Sequence, residues 1–207
     1  QQDAAADVRL MDLSGSREKL IPELLGLWGV AQPEASRCGK GGHGVVRCQN
    51  YRGTWDHLVG LNVPALLELK ADRTVERFIC IERLDNNRVW IRHDGKSHVM
   101  SIDKVLSVWT GKAILAYRPL ETDKRALQPG IRDSAVVAIR QALDLPFEGP
   151  DQDRYDAALR GRVEAFQRQW GLRPDGMIGT LTLIGIEGHG RRSDVPRLQV
   201  SGEAEAQ

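Results

Sequence analysis

Apolar residues recur at helical spacing in the C-terminal part of the chain. From residue 155 to residue 170 they fall three or four positions apart and turn one stripe towards a core, made of Tyr155, Leu159, Val163, Phe166 and Trp170. Gly171 follows directly, where a left-handed residue is typical of a helix end. The run before residue 145 predicts a preceding helix, and the glycine-rich segment 171–179 leads into a short third helix. The pattern predicts an all-α three-helix domain over residues 125–190.

The first half of the chain begins with a helical pattern. Five apolar residues share one face between Ser16 and Gly29: Leu20, Ile21, Leu24, Leu25 and Trp28. Thr54 is expected to cap a second, short helix. Ser101 is expected to cap a third, running from Ile102 to Trp109.

Strand patterns lie between these helices. Alternating or β-branched runs occur at 64–71, 76–84, 88–93, 97–102 and 112–119, and residues 85–87 are typical of a hairpin turn. The mixture predicts an α+β domain with an antiparallel sheet over residues 13–120. The polar segment 121–129 is interpreted as a linker to the helical domain.

Composition excludes some partners. The 207 residues carry a net charge of +1, from 29 basic and 28 acidic side chains. This balance gives no general attraction to nucleic acid or to a membrane surface. No apolar run approaches the roughly 20 residues that span a bilayer. Because the chain begins QQDAAADV without Met, we expect a fragment or a processed product, with disordered ends at 1–7 and 200–207.

The cysteines favour a disulfide. Cys38 and Cys48 flank a glycine-rich segment, and such short closed loops are common outside the cytoplasm. With His43 and His57 they also offer zinc-compatible ligand types, but the paired spacing of a zinc knuckle is missing. We predict the disulfide and no metal or other cofactor, with zinc as the alternative. Cys80 lies in an apolar run and is expected to be buried.

The C-terminal pattern resembles the small peptidoglycan-binding domain of bacterial wall-associated proteins. The matching positions are Gly130, Leu143, Tyr155, Asp156, Phe166, Gln167, Gly171, Leu172, Asp175, Gly176, Gly179 and Thr182. Arg140 stands where that family has Gln, and Gln141 follows it. Wall peptides carry carboxylates and amides, which suit a guanidinium, an amide and backbone N–H groups. We therefore predict a groove between the first helix and the glycine-rich loop, with ligand-binding residues Arg140, Gln141, Leu172, Asp175, Gly176, Ile178 and Gly179. A turn residue that binds its own backbone is an equal alternative for Asp175.

The first domain resembles, more weakly, the papain-like peptidases that trim double-glycine leader peptides. The resemblance rests on segments such as LLGLWGV, VPALLEL and RFICIERLDNNRVWI. Such enzymes need a thiolate beside an imidazole that a third group orients. Here no Cys precedes the first helix, Arg77 stands at the position of the base, and the third position falls near His93 and Asp94. The resemblance implies a degenerate peptidase fold with no catalytic residues.

Both domains together resemble the periplasmic part of the secretion pathway protein A family of type II secretion. This implies a periplasmic fragment of an inner-membrane protein that binds peptidoglycan without catalysis and supports assembly of the outer-membrane secretin. A secretin or another assembly protein is then an expected partner, without nucleic acid or membrane contact in this fragment. One alternative is a wall hydrolase or cysteine peptidase with a targeting module. Another alternative is a protein–protein scaffold whose first domain binds a partner through its vestigial substrate cleft.

Overall fold

The chain folds into two compact units, each built from separate segments. The computed structural model describes residues 9–30, 38, 46–70, 76–120, 122, 125–145 and 149–199. One unit, called here the sheet unit, takes its described residues from Gln1–Arg52, Pro64–Ala116 and Pro196–Gln207. The other, the helical unit, takes them from Gly53–Val63 and Tyr117–Val195. The predicted ends at 1–7 and 200–207 lie outside the described residues.

A six-stranded sheet forms the centre of the sheet unit. Its spatial order is β1-β6-β2-β3-β4-β5, and the pairs β2–β3, β2–β6, β3–β4 and β4–β5 are antiparallel. The strands are β1 Arg47–Arg52, β2 Ala65–Leu69, β3 Arg77–Asp85, β4 Arg88–His93, β5 Lys96–Ser101 and β6 Trp109–Tyr117. The predicted α+β class is confirmed, and β1 is a strand that the sequence patterns did not indicate.

Helix α1 (Arg17–Leu27) forms as the periodicity predicts. The Ser16 hydroxyl accepts a hydrogen bond from the Lys19 N–H at 3.3 Å, which satisfies one free donor of the first turn. The predicted stripe is buried, with Leu20 and Leu24 fully inaccessible to solvent. Gly29 then adopts φ +73°, as a left-handed helix end requires.

Helix α3 (Ile102–Leu106) is shorter than predicted. The prediction that it reaches Trp109 is wrong, because Trp109 opens β6 and pairs with Leu69 of β2. The Trp109 indole N–H donates to the Lys112 carbonyl at 2.8 Å. Gly111, with φ +82°, therefore lies within the strand.

The helical unit contains the three predicted helices: α4 Ala135–Ala142, α5 Ala157–Gln169 and α6 Thr180–His189. Tyr155, Leu159 and Val163 of the predicted stripe are almost completely buried, and Trp170 packs against the same core. Leu127, assigned to a linker from the sequence, is 1% exposed. It exchanges two backbone hydrogen bonds with Ile178, so this part of the segment belongs to the core.

Helix α2 (Trp55–Gly60) also belongs to the helical unit, although it lies far from it in the sequence. As predicted, Thr54 caps it by accepting from the His57 N–H at 3.4 Å. The domain bounds 13–120 and 125–190 remain a prediction, to which the structure adds this separate segment.

A disulfide joins Cys38 and Cys48, as predicted, with 5.3 Å between their Cα atoms. Cys80 is a buried free thiol whose pKa is raised by burial. His43 of the alternative zinc set lies outside the described residues. Within the described ranges, no helix has the length and hydropathy needed to cross a membrane.

Candidate functional site

The candidate site is the turn between α5 and α6, called here the recognition loop (residues 171–179). Gly171 and Gly176 adopt φ +68° and +67°, the left-handed region that favours glycine. A Cβ at Gly176 would lie 3.0 Å from Cγ of Arg160 and 3.1 Å from Oε1 of Glu164. The left-handed backbone at position 176 therefore favours glycine, and any side chain there would also have to displace those two side chains.

Gln167 braces the recognition loop from α5. Its side chain is 1% exposed. The Oε1 atom accepts the Gly176 N–H at 2.9 Å. The Nε2 atom lies 2.9 Å from the carbonyl of Met177, and 3.1 and 3.2 Å from Oδ1 of Asp175 and Oγ1 of Thr182. The amide thus fixes the middle of the loop against the helix. The sequence motif includes Gln167 but does not indicate this role.

Two further side chains complete the brace. Oδ1 of Asp175 accepts the Met177 N–H at 2.9 Å, a local bond typical of Asp in turns. The Tyr155 hydroxyl donates to the Gly176 carbonyl at 2.7 Å. Burial raises the pKa of Tyr155, so the hydroxyl keeps the proton that it donates. The outer oxygen of Asp175, Oδ2, lies 4.0 Å from Nε of the exposed Arg173.

The residues predicted to bind ligand fall into two groups. Gln141 and Asp175 are exposed, and Leu172 and Gly179 are half-buried. The other three are buried: Arg140, Gly176 and Ile178. The Gly176 N–H, considered for a ligand carboxylate, donates to Gln167 instead. In the described part of the chain, no hydrogen bond or ion pair joins Gln141 to the recognition loop. Ligand contact by all seven stays a prediction.

Arg140 has an internal role. It is 2% exposed, and its guanidinium lies 2.7 Å from Oδ2 of Asp156 and donates to the Arg154 carbonyl at 2.9 Å. Partial burial alone would raise the pKa of Asp156, but the Leu159 N–H and the Arg140 guanidinium outweigh it and hold the pKa below its ordinary value. Arg140 therefore ties α4 to the start of α5, where Asp156 caps the helix.

Two exposed apolar side chains lie on or beside the recognition loop. Met177 is 39% exposed and Leu181, in the first turn of α6, is 37% exposed. Asp175 lies two residues before Met177, so a carboxylate and two apolar groups occupy one short stretch. Neither residue was predicted from the sequence, although an apolar pair four residues apart across a loop and the first turn of a helix could have indicated them.

The peptidase-like positions of the sheet unit hold a different set of groups. Gly15 and Phe78 exchange two backbone hydrogen bonds of 2.9 Å just before α1. The guanidinium of Arg77 donates to the Ser14 hydroxyl at 3.2 Å. His93 contacts the Asp94 carboxylate at 3.4 Å. Arg77 therefore acts as a donor that ties β3 to the segment before α1. In the described ranges no three His, Cys, Asp or Glu side chains are placed to hold a metal ion.

Fold and residues together define a protein with a peptidase-like sheet unit and a helical unit of the peptidoglycan-binding type. The chain belongs to the family described as "GspA, peptidase C39-like domain", whose model matches residues 9–118. Residues 132–184 match the model of the peptidoglycan binding domain, and this range includes α4, α5 and the recognition loop. The resemblances drawn from the sequence are confirmed.

The chain is also similar to known proteins. General secretion pathway protein A of Aeromonas hydrophila is 24% identical over 170 residues, which cover 81% of this chain but 31% of that protein. The chain thus spans about a third of its curated relative. The crystal structure of a periplasmic domain of the EpsAB fusion protein, from the Vibrio vulnificus type II secretion system, superposes with a TM-score of 0.58 at 22% identity. That superposition covers 89% of this chain and 92% of the other and shows a shared fold.

Proposed function

We propose that this chain binds peptidoglycan through its helical unit and takes no part in catalysis. The observation that carries the proposal is the match of residues 132–184 to the peptidoglycan binding domain. The recognition loop lies inside this match and is held rigid by Gln167, so its outer groups are presented in a fixed arrangement. A preorganised surface of this kind loses little conformational entropy on binding.

The proposed contact surface consists of the exposed groups of the loop and its surroundings. Oδ2 of Asp175 accepts an amide or ammonium N–H of the peptide stem, and Gln141 can both donate and accept. Met177 and Leu181 offer apolar area to the non-polar parts of the stem. The other predicted contacts include three buried residues, Arg140, Gly176 and Ile178, whose contact with ligand remains a prediction.

The absence of catalysis is supported by the chemistry of the peptidase-like positions. A guanidinium remains protonated in proteins and cannot act as a general base, so Arg77 cannot activate a nucleophile. Ser14 and Ser16 stand where a thiol is needed, and both hydroxyls accept hydrogen bonds from within the fold. The prediction is that the protein does not cleave a double-glycine leader peptide, which is measured by incubating it with such a peptide.

The relatives' names suggest the cellular setting. We propose a periplasmic location and a role in the assembly of a type II secretion complex, and the likeness to the Aeromonas and Vibrio proteins supports this setting. A secretin or another assembly protein is the proposed partner. The observed disulfide suits an oxidising compartment.

Co-sedimentation with purified, insoluble peptidoglycan tests the proposal. The full chain is expected to pellet with the wall material. Asp175→Asn keeps Oδ1 as an acceptor for the loop and removes the outer acceptor, so we expect a tenfold or larger loss of affinity, from about 1.5–3 kcal/mol for a charge-assisted bond. Gln141→Ala should weaken binding to a smaller extent.

A matched control is available on α5. Gln169 is exposed on the helix that carries Gln167, and Gln169→Ala should bind like the parent. If the full chain stays in the supernatant, the proposed function is wrong. Asp175→Asn and Gln141→Ala binding like the parent would instead reject the proposed surface while leaving the function intact.

A further inference from the structure

The segment Gly53–Val63 packs on the ends of α5 and α6, far away in sequence. The Asn62 side-chain amide donates to the Gly188 carbonyl at 2.9 Å, and this bond is buried. Nε2 of His189 lies 2.9 Å from the Gly60 carbonyl. Because a carbonyl can only accept, the proton of His189 lies on Nε2. Two polar side chains thus connect this segment to the last turn of α6.

Glycines allow the close approach on both sides. A Cβ at Gly188 would lie 2.2 Å from the Leu61 carbonyl oxygen, and a Cβ at Gly60 would lie 2.9 Å from the Trp170 carbonyl oxygen. Both obstacles are backbone atoms, which cannot turn away as a side chain can. The contact therefore tolerates no side chain at position 60 or 188 without movement of the segment.

The segment also reaches the start of the recognition loop. A Cβ at Gly171, the first loop residue, would lie 2.9 Å from Cδ2 of His57. The adjacent Trp170 ring stacks on His189 at 3.5 Å between ring centroids, with 14° between the ring planes. His57 and His189 thus enclose the point where α5 ends and the loop begins.

We infer that Gly53–Val63 positions the recognition loop, with Asn62, Gly60 and His189 as its positioning residues. The inference rests on the proposed function, since it assigns these residues to the same binding surface. Gln167 fixes the middle of the loop, and this segment fixes its entry. The helical unit is then complete only with eleven residues that precede it by more than fifty positions.

Hydrogen exchange and wall binding of the full chain test the inference. Asn62→Gly keeps the left-handed backbone, since Asn62 has φ +55°, but removes the amide bond to Gly188. Gly188→Ala inserts a methyl group into the contact. Both should speed amide exchange in residues 171–179 and weaken wall binding, Asn62→Gly by about three- to tenfold, the effect of one lost hydrogen bond of typical strength.

Two controls separate positioning from general destabilisation. Gly161→Ala makes the same substitution in α5 at a site where no other described segment lies within 4 Å of the new Cβ, and it should leave loop exchange and binding unchanged. Val136→Ala removes buried core volume in α4, away from the segment, and should lower the melting temperature without selectively exposing the loop. If the segment only contributes to global stability, Val136→Ala should speed amide exchange in the loop as much as Asn62→Gly does when the two variants are compared at equal stability.

Loop exchange in Asn62→Gly equal to that of the parent would overturn the inference, as would an equal effect of Val136→Ala. If Gly188→Ala does not fold, the exchange rates of Asn62→Gly alone decide whether the segment positions the loop. If the parent itself fails to bind the wall, the proposed function is wrong. The positioning role is then tested by the amide exchange rates alone.

Discussion

Replacing Gln167 by Leu should destabilise the helical unit strongly. Leu has a side chain of similar size to Gln, but the substitution removes every hydrogen bond of the amide. It leaves the Gly176 N–H and the Met177 carbonyl without their partner at 2.9 Å. An unsatisfied buried polar group costs about 1–3 kcal/mol.

The number of buried groups that lose their hydrogen-bond partner sets the size of the destabilisation. Nε2 of Gln167 has three acceptors within 3.2 Å but two hydrogens, so one hydrogen bond is shared. Counting two stranded backbone groups, and allowing the loop to relax towards water, we expect a loss of roughly 2–4 kcal/mol in the free energy of unfolding. This is a large part of the 5–15 kcal/mol typical of a domain, so part of the helical unit should open below the main transition.

Chemical denaturation followed by circular dichroism and tryptophan fluorescence measures the loss. The matched control is Gln169→Leu, two residues along the same helix and exposed, for which we expect a change within about 0.5 kcal/mol. Gln167→Glu is a second variant, because a carboxylate there faces Asp175 and can remain buried only when protonated. It should regain stability as the pH falls. Equal stability of Gln167→Leu and Gln169→Leu would refute the claim that the hydrogen bonds of Gln167 stabilise the recognition loop.

The remaining predictions concern a half-buried carboxyl and the cysteines. Burial raises the pKa of Glu187 to about 7 from 4.5, so its contribution to stability is complete below about pH 4.5 and is lost as the pH rises through 7. Glu187→Gln should therefore melt at a higher temperature than the parent at pH 8, by an amount equivalent to roughly 1–3 kcal/mol. The difference in melting temperature should shrink towards pH 5. A difference that does not change with pH would contradict the raised pKa of Glu187. Alkylation in denaturant without reductant should label Cys80 alone, and reducing the Cys38–Cys48 bond should lower stability by about 2–3 kcal/mol in the chain-entropy model. Labelling of all three thiols in oxidised material would disprove the disulfide.

Local patterns in the sequence determined most of the secondary structure. The stripe from Tyr155 to Trp170 predicted α5 because side chains three or four residues apart share a helix face whatever packs against it. Gly171 and Asn86 could be assigned to left-handed positions because glycine and asparagine tolerate that conformation. The family resemblance was readable for the same reason, since its motif consists of short-range spacings. Strand β1 was missed because its sequence, RCQNYR, has little apolar alternation.

Tertiary structure alone decided which polar groups face inward and which distant segments meet. Nothing in the spacing of Arg140 or Gln167 shows that both side chains are buried among internal partners. Leu127 lies in a polar stretch but pairs with Ile178, and Asn62 bonds to Gly188 across 126 positions. Periodicity describes the faces of one element at a time. A hydrogen bond between remote residues depends on how the whole chain closes, because each buried donor must find an acceptor wherever the fold places one.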